Sequence, residues 1–405
     1  MGNLQNGEID YRDLVYSSDE EDIAKYSLCP GDLLFNRTNS AELVGKTAIY
    51  RGSVPAIYAG YLIRIHPLVN PEYFNAVMNS QYAKQYCYYV KADSVSQSNI
   101  NANKLGAFLI PIPPSNEQKS ISKEVSVFLP IIFALQEHET KVKELCAEAK
   151  SKILDLAIRG KLVPQDSADE PASVLLERIR ADKEEQIKAG KIKRDKKESF
   201  IFRGEDNSYY EKIGDEVRCI DDQLPYVIPE NWVWARLSSI SIINPKQTLD
   251  ENLLVSFVPM PLIEDGFRSN NTSEVRKWKE VRTGYTHFAD GDIGVAKITP
   301  CFENRKSLVF HGLTNGYGAG TTELFIIRCN NQLIVPEYLL WLMKTKAFID
   351  GGIQTFSSAV GQQRVSKEYI ENSLIPLPSV RAQKVICSKI RSLLSQIEQI
   401  EQSLN

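Results

Sequence analysis

One thirteen-residue phrase is written twice in this chain, so any fold that explains it must itself be doubled. "LIPIPPSNEQKSI" fills positions 109–121 and "LIPLPSVRAQKVI" fills 374–386, 265 residues apart, with seven of thirteen positions identical. Other blocks follow the same order. "GDLLFNRTNSAELVGKTAIY" (31–50) lines up with "GDIGVAKITPCFENRKSLVF" (291–310) at an offset of 260. "NPEYF" (70–74) lines up with "VPEYL" (335–339), and "SQSNI" (96–100) with "GQQRV" (361–365), both at 265. The change of offset predicts a five-residue insertion in the second copy, within "GLTNGYGAGTTELF". Matched blocks in a conserved order mark an internal duplication.

Each copy reads as an α+β unit. Short runs rich in Val, Ile, Tyr and Phe (Asp32–Phe35, Leu62–Ile65, Leu324–Ile327) have strand character. An amphipathic helix is expected at about Glu72–Tyr89 and again at about Glu337–Asp350. The proline-rich phrase comes next. Pro111, Pro113 and Pro114 cannot donate to a ladder and hold the chain extended, so strand and helix both stop there. Ser115 or Asn116 can then cap a helix with Glu117 in its first turn.

That helix carries a stripe. Ile121, Val125, Phe128, Ile132 and Leu135 are followed, after a break at Glu139, by Val142, Cys146, Ala149, Ile153 and Leu156. After the second phrase come Ile386, Ile390, Leu393, Ile397, Ile400 and Leu404. The steps alternate 4 and 3 throughout, as in a coiled-coil seam. Pro130 should kink the first helix. Residues 117–158 would span roughly 60 Å at about 1.5 Å per residue, enough to act as a spacer.

Composition narrows the class. The 405 residues are 43% hydrophobic and 24% charged, with net charge −3, so a nucleic-acid site must be local and not a global basic coat. The seven cysteines are odd in number and form no CxxC pair, which disfavours a disulfide scaffold or zinc cluster and suits a reducing cytosol. The start "MGNLQNGEIDYRD" has no apolar run, and no stretch approaches a membrane span.

Between the copies lies "AIRGKLVPQDSADEPASVLLERIRADKEEQIKAGKIKRDKK" (157–197). Gly160 and Pro164 end the long helix, a new helix is expected after Pro171, and "KAGKIKRDKK" reads as a solvated basic tether. "LPYVIPENWVWARL" (224–237) returns to strand pattern.

With these stretches in view the chain resembles the specificity subunit of type I restriction-modification enzymes. The most specific parts are "ILDLAIRGKLVPQDSADEPASVLLERIRADKEEQIKAGKIKRDKK", "IPENWVWARLSSI" and the doubled proline exit with its Gln-Lys. The resemblance implies two pseudo-symmetric target-recognition domains separated by two long antiparallel coiled-coil helices. The expected divisions are 1–114, a first helix 115–158, a connecting region 159–225, a second domain 226–378 and a second helix 379–405. It implies a subunit that reads a bipartite double-stranded DNA target with an unspecified spacer. It also implies docking of two methyltransferase subunits and, through them, restriction subunits, in the cytoplasm. S-adenosylmethionine, ATP and magnesium would then belong to those partners, with no cofactor or metal here. One departure stands out. "MGNLQNGEI" matches "MPLIEDGF" at an offset of about 259, so roughly thirty residues corresponding to 226–259 have no counterpart in the first unit.

Catalytic motifs are disfavoured. "SAELVGKT" (40–47) has Ser40 where a phosphate-binding loop needs glycine, and a strand follows it. There is no Asn-Pro-Pro-aromatic signature and no glycine-rich S-adenosylmethionine motif. The histidines at 66, 138, 287 and 311 are scattered. "GDIGVAK" (291–297) superficially suggests a nuclease site, but its twin "GDLLFNR" points to a structural turn and strand. A non-catalytic chain is expected, with a coiled-coil adaptor that does not read DNA as the alternative.

Two cations recur across the copies: Arg37 with Lys297, and Lys46 with Lys306. A shared anchor suits phosphate, although a solvated strand-edge charge fits equally. Variable polar residues nearby are candidates for base edges. In the first copy these are Asn36, Thr38, Asn39, Gln97 and Asn99, with Ser94 in the same loop. In the second they are Arg276, Lys277, Arg282, Gln362, Gln363 and Arg364. The Gly-Gln-Gln loop can equally cap the helix that follows it.

Overall fold

In both copies the Gly-Asp pair turns the chain into the first strand of a sheet. The computed structural model describes residues 2–94, 97–190, 192, 194, 198–357 and 362–404, in two units divided between Thr140 and Lys141. Gly31 (φ +94°) and Gly291 (φ +86°) sit in the left-handed region that glycine enters without a Cβ penalty. Their N–H groups donate to the carbonyls of Tyr50 and Phe310, each at 2.8 Å. Asp32 and Asp292 are buried, and their carboxylates accept the N–H of Cys29 (2.9 Å) and Ala289 (2.8 Å). The Gly-Asp pair is therefore a structural turn.

Leu33–Asn36 lies between Thr47–Ile49 and Leu62–Ile65, all antiparallel, in the five-stranded sheet of the first unit. Ile293–Ala296 lies in the same way between Ser307–Val309 and Leu324–Arg328 in a four-stranded sheet of the second. Register corrects the expected insertion. Leu33 faces Ile65 and Ile293 faces Ile327, so the offset passes from 260 to 262 at this strand and reaches 265 only at the next helix. Two extra residues precede the strand and three follow it. Buried pairing on one face forbids a slip, so the surplus falls in the loops.

The single helix expected in each copy is two. Pro71–Met78 is followed by Gln81–Val90, and Pro336–Met343 by Lys346–Ile353. Ser80 and Thr345 cause the break. Each hydroxyl accepts the N–H three residues on (Ala83 and Phe348, both at 3.3 Å) and so starts a second helix.

The repeated phrase is a junction. Gln118 accepts the N–H of Asn70 (3.0 Å), at the start of Pro71–Met78, and donates to the Pro113 carbonyl (2.8 Å). Gln383 accepts from Val335 (2.8 Å), at the start of Pro336–Met343, and donates to Pro378 (3.0 Å). The hydroxyls of Tyr73 and Tyr338 donate to the carbonyls of Pro111 and Pro376 at 2.8 and 2.6 Å. Each phrase is thus pinned to the helix that precedes it.

The long helix runs Ser115–Ile158 without interruption at Pro130. In the first unit its stripe residues Phe128, Ile132 and Leu135 are exposed. In the second unit its last turns pack on the return helix Val380–Ser403. Leu154, Ala157 and Ile158 join one core with Ile386, Cys387, Ile390 and Leu394. The run is antiparallel there: Lys150 pairs with Glu401 at 2.6 Å, and Asp166, beyond the helix, with Arg381 at 3.0 Å. Cys146, Ile386 and Ile390 are buried as the stripe expects, but burial then moves one residue on, to Leu154, Ala157 and Leu394, and leaves Ala149 exposed, because a short contact follows the straight-helix period and not a sustained heptad. Gly160 (φ +68°) closes the helix, with the Lys161 N–H donating to the Leu156 carbonyl at 2.8 Å.

The connecting region is mostly folded. Ala172–Lys188 is a helix, and Ser199–Arg203, Tyr209–Ile213 and Glu216–Cys219 form a three-stranded antiparallel sheet. Leu175, Leu176, Ile179, Ile201 and Ile220 lie in the core of the second unit. Of the basic tether, residues 191, 193 and 195–197 lie outside the described residues. Val233–Arg236 then pairs antiparallel with Leu374–Leu377, the second copy of the repeated phrase. Arg236 secures this covering strand. Its guanidinium donates to Glu211 at 2.8 and 3.0 Å, to the Asn372 carbonyl at 2.8 Å and to Gln223 at 2.8 Å. Burial pushes the Glu211 carboxyl up, but the bonds from Arg236 and Arg218 outweigh it and hold the group at about 2.

Two outcomes are expected. Gln383→Leu leaves a buried N–H and carbonyl unpaired and should destabilise the second unit by about 1–3 kcal/mol in chemical denaturation, and Gln118→Leu should do the same to the first. Glu211 is held below its ordinary 4.5, so its contribution is full above that pH and is lost as pH falls towards 2. Stability measured over that interval should fall further in the wild type than in Glu211→Gln, which starts lower because it strands a buried guanidinium.

Candidate nucleic-acid interface

Beyond the end of each repeated first strand the chain builds a small ribbon. In the first unit Thr38–Asn39 pairs with Ser98–Asn99, which pairs in turn with Ala92–Asp93. In the second, bridges join Ile298 to Arg364 and Arg364 to Ser357. These are the same positions: Thr38 and Ile298 differ by 260, and Asn99 and Arg364, like Ala92 and Ser357, by 265. The backbone tie is also repeated, with the Ile100 N–H donating to the Arg37 carbonyl and the Val365 N–H to Lys297, each at 2.8 Å.

The structure brings most of the first-copy candidates together. Arg37, Thr38, Asn39, Gln97 and Asn99 all lie on this ribbon or at its base. The Asn99 amide donates to the Thr38 hydroxyl at 2.7 Å. Gln97 is exposed, and its carbonyl accepts from Ser94 at 2.8 Å. Asn36 departs from the expectation of a surface reader. It is fully buried, its carbonyl oxygen accepts the Thr38 N–H at 3.2 Å, and its Nδ2 has no partner among the described residues. Its place on the inward face of a buried strand makes it a support for the ribbon. Lys46, opposite Asn36 across the strand pair, donates to Gln5 at 3.3 Å.

The second-copy candidates divide between two sheets. Lys297 lies at the base of the ribbon with its ammonium 5.3 Å from the Phe325 ring centre, and Lys306 donates to the Met260 carbonyl at 3.3 Å. Gln362, Gln363 and Arg364 form the ribbon segment, with the Gln363 N–H donating to the Thr299 hydroxyl at 3.2 Å. The Arg364 guanidinium makes a two-pronged contact with Glu323, both bonds at 2.9 Å, and that cation holds the Glu323 carboxyl below its ordinary range. Arg276, Lys277 and Arg282 belong instead with the sheet of Leu254–Val258, Glu274–Lys277, Thr286–Ala289 and Tyr317–Gly320. Arg276 stacks 3.8 Å from the Phe257 ring centre and pairs with Glu274 at 2.7 Å, and Arg282 pairs with Glu251. Among the described residues, no group of three or more His, Cys, Asp or Glu could hold a metal ion.

Sequence reasoning missed Lys344. This lysine is fully buried at the end of Pro336–Met343, and its ammonium donates to the carbonyls of Gly266 (2.8 Å), Arg268 (2.9 Å) and Arg305 (2.9 Å). Burial, helped by the Arg305 cation, pushes its pKa down to about 7. It joins two loops, one of them ending at Lys306. The first unit solves the same problem with amides. Asn75 donates to the Gly7 carbonyl at 3.0 Å, and Asn79, the twin of Lys344, donates to Asn75 at 3.0 Å. Gly7 (φ +82°) and Gly266 (φ +65°) are themselves twins, and that paired glycine was the one available signal.

Comparison with known proteins follows the geometry. No family model matches the chain. It is 44% identical over 251 residues to the type I restriction enzyme EcoAI specificity subunit of Escherichia coli, covering 62% of this chain and 40% of that protein. It is 43% identical over 251 residues to the EcoEI specificity subunit of the same organism, covering 62% and 39%. The match thus spans about two fifths of the length of these relatives. In structure it is similar to a solved chain from a study of complex assembly and conformational transition of the type I R-M system, with TM-score 0.50 and 14% identity, covering 93% of this chain and 77% of that one. Over those 251 residues the chain is similar to type I specificity subunits, and it has the fold of that solved chain.

Lys344→Met should cost about 2 kcal/mol in denaturation, because it removes the buried ammonium that three carbonyls share. Asn79→Ala, whose amide reaches Gly7 only through Asn75, should cost less.

Proposed function

We propose that this chain is the DNA-specificity subunit of a type I restriction-modification complex, reading one part of a bipartite double-stranded target with each unit. The kinship to specificity subunits supports the role. The observation that carries it is the twinned ribbon, whose backbone is kept while one side chain changes from Asn99 to Arg364. Asparagine can bond an adenine edge with both ends of its amide, and arginine a guanine edge with both prongs of its guanidinium. A constant frame with a variable donor is what two half-sites of different sequence require.

Gln97 flanks Asn99 in the first unit, with Thr38 and Asn39 beside it, and Gln362 and Gln363 flank Arg364 in the second, each set facing a major groove. Arg37, Lys297, Lys46 and Lys306 contact phosphate and set the frame on the duplex. Arg276, Lys277 and Arg282 extend the second unit's contact along the DNA. The chain performs no chemistry itself. The helical segments dock two methyltransferase subunits, which recruit restriction subunits in the cytoplasm. Those partners carry the S-adenosylmethionine, ATP and magnesium.

Footprinting and methylation mapping of the complex assembled with its methyltransferase subunits test this. Protection of two separated base clusters is expected. Arg364→Ala should relax base choice in one cluster only, by about 1–3 kcal/mol, and Asn99→Ala in the other. Lys306→Ala should weaken binding to all sequences and reduce the salt slope by about 1. One contiguous footprint, or none, refutes the reading.

A further inference from the structure

The helix pairs of the two copies are twins at an offset of 265, yet an aromatic cluster of the first is absent from the second. In the first unit Tyr82 lies against Phe108 with ring centres 5.1 Å apart, and Tyr86 meets the same ring at 4.9 Å. The Tyr82 hydroxyl donates to the Leu109 carbonyl at 2.9 Å. The space beside the repeated phrase is thus filled by the unit's own rings.

In the second unit the twins of Tyr82, Tyr86 and Phe108 are Ala347, Gly351 and Ser373. Tyr369 takes back part of the lost volume. Its ring lies 5.4 Å from that of Phe348, and a Cβ on Gly351 would meet its hydroxyl at 2.7 Å. The places of Tyr82 and Phe108 stay open. Ala347 and Ser373 both line a groove of about 530 Å³, within the range of about 300–1,000 Å³ usual for small-molecule sites. Tyr226, Leu342, Phe348 and Leu374 give it an apolar wall. Two charged side chains also line it, and they differ in what they can offer. Arg236 is already spent on Glu211, Gln223 and the Asn372 carbonyl. Glu368 is exposed, and among the described residues its carboxylate has no hydrogen-bond or ion-pair partner.

We propose that this groove binds a small phenol, a single aromatic ring carrying a hydroxyl. The twin unit specifies the ring, because the side chain it places there is a tyrosine with its hydroxyl on the repeated phrase. The lining specifies the hydroxyl. Glu368 accepts a proton donor and repels an anion, and no free cation of the lining is left to hold an aromatic acid. The site stands whether or not the units read DNA.

The test titrates the full chain with p-cresol, toluene and benzoate and reads binding by saturation-transfer NMR. The expected result is saturable p-cresol binding about tenfold tighter than toluene, the worth of one hydrogen bond to a charged acceptor, and no saturable binding of benzoate. Ala347→Tyr puts the first unit's ring into the groove from an exposed position, so it should keep the wild-type Tm and abolish p-cresol binding. Glu368→Gln should narrow the gap between p-cresol and toluene while leaving toluene unchanged. Toluene binding as tightly as p-cresol, benzoate binding more tightly than p-cresol, or p-cresol binding unchanged in both variants overturns the proposal.

Discussion

One primary amide organises each half of this protein. Gln118 and Gln383 use both ends of the side chain, accepting from the first turn of the preceding helix and donating to a proline carbonyl just upstream. The chemistry follows from the prolines. A proline-rich segment has few N–H groups to offer but keeps its carbonyls, and a tyrosine hydroxyl and a glutamine amide donate to them in both copies. The same glutamine accepts the N–H of the capping residue at each helix start, Asn70 and Val335. Strand exit, helix start and spacer start are therefore a single object. The phrase is conserved between the copies because none of its parts can change alone.

This junction also explains how the ribbon can vary. The backbone bonds from Ile100 to Arg37 and from Val365 to Lys297 do not depend on which side chain stands one residue earlier. Asn99 and Arg364 differ in length, charge and donor pattern, yet the main chain bridges the same neighbours through both. Ties made by main chain and by buried side chains such as Lys344 and Asn75 keep the loops in place. The exposed donors are then free to be whatever a partner surface demands.

The doubled α+β architecture was legible because repetition is a property of the string, and the repeated phrase marks both helix starts. Details that depend on three-dimensional accounting were not. The helix break at Ser80 and Thr345 was hidden because apolar periodicity continues across it, and only a hydroxyl bonded three residues on reveals a new start. Asn36 looked like a surface amide, since alternation cannot show that both faces of Leu33–Asn36 are covered. Lys344 looked like a solvated lysine, because the three carbonyls that hold it come from distant loops. The sheet within 199–219 was missed for a similar reason. Its aromatic and charged residues alternate weakly, and its stability comes from stacking (Phe200 and Phe202 at 5.4 Å) and from Glu211 beneath Arg236.

The charge pattern bears on how a near-neutral chain could discriminate among DNA sequences. Net charge is −3, and three of the four arginines proposed to face DNA already hold carboxylates: Arg364 with Glu323, Arg276 with Glu274 and Arg282 with Glu251. An exposed pair of this kind is worth at most about 1 kcal/mol, so opening it is cheap. A guanine edge returns about 1–3 kcal/mol through a matched pair of acceptors, whereas a wrong base returns little and leaves the carboxylate facing the duplex. The carboxylates thus weaken non-specific attraction more than specific contact. On the proposed reading discrimination rises while total affinity falls. On the proposed reading, a subunit built in this way recognises its target only as part of an assembly, which keeps the free chain from occupying DNA alone.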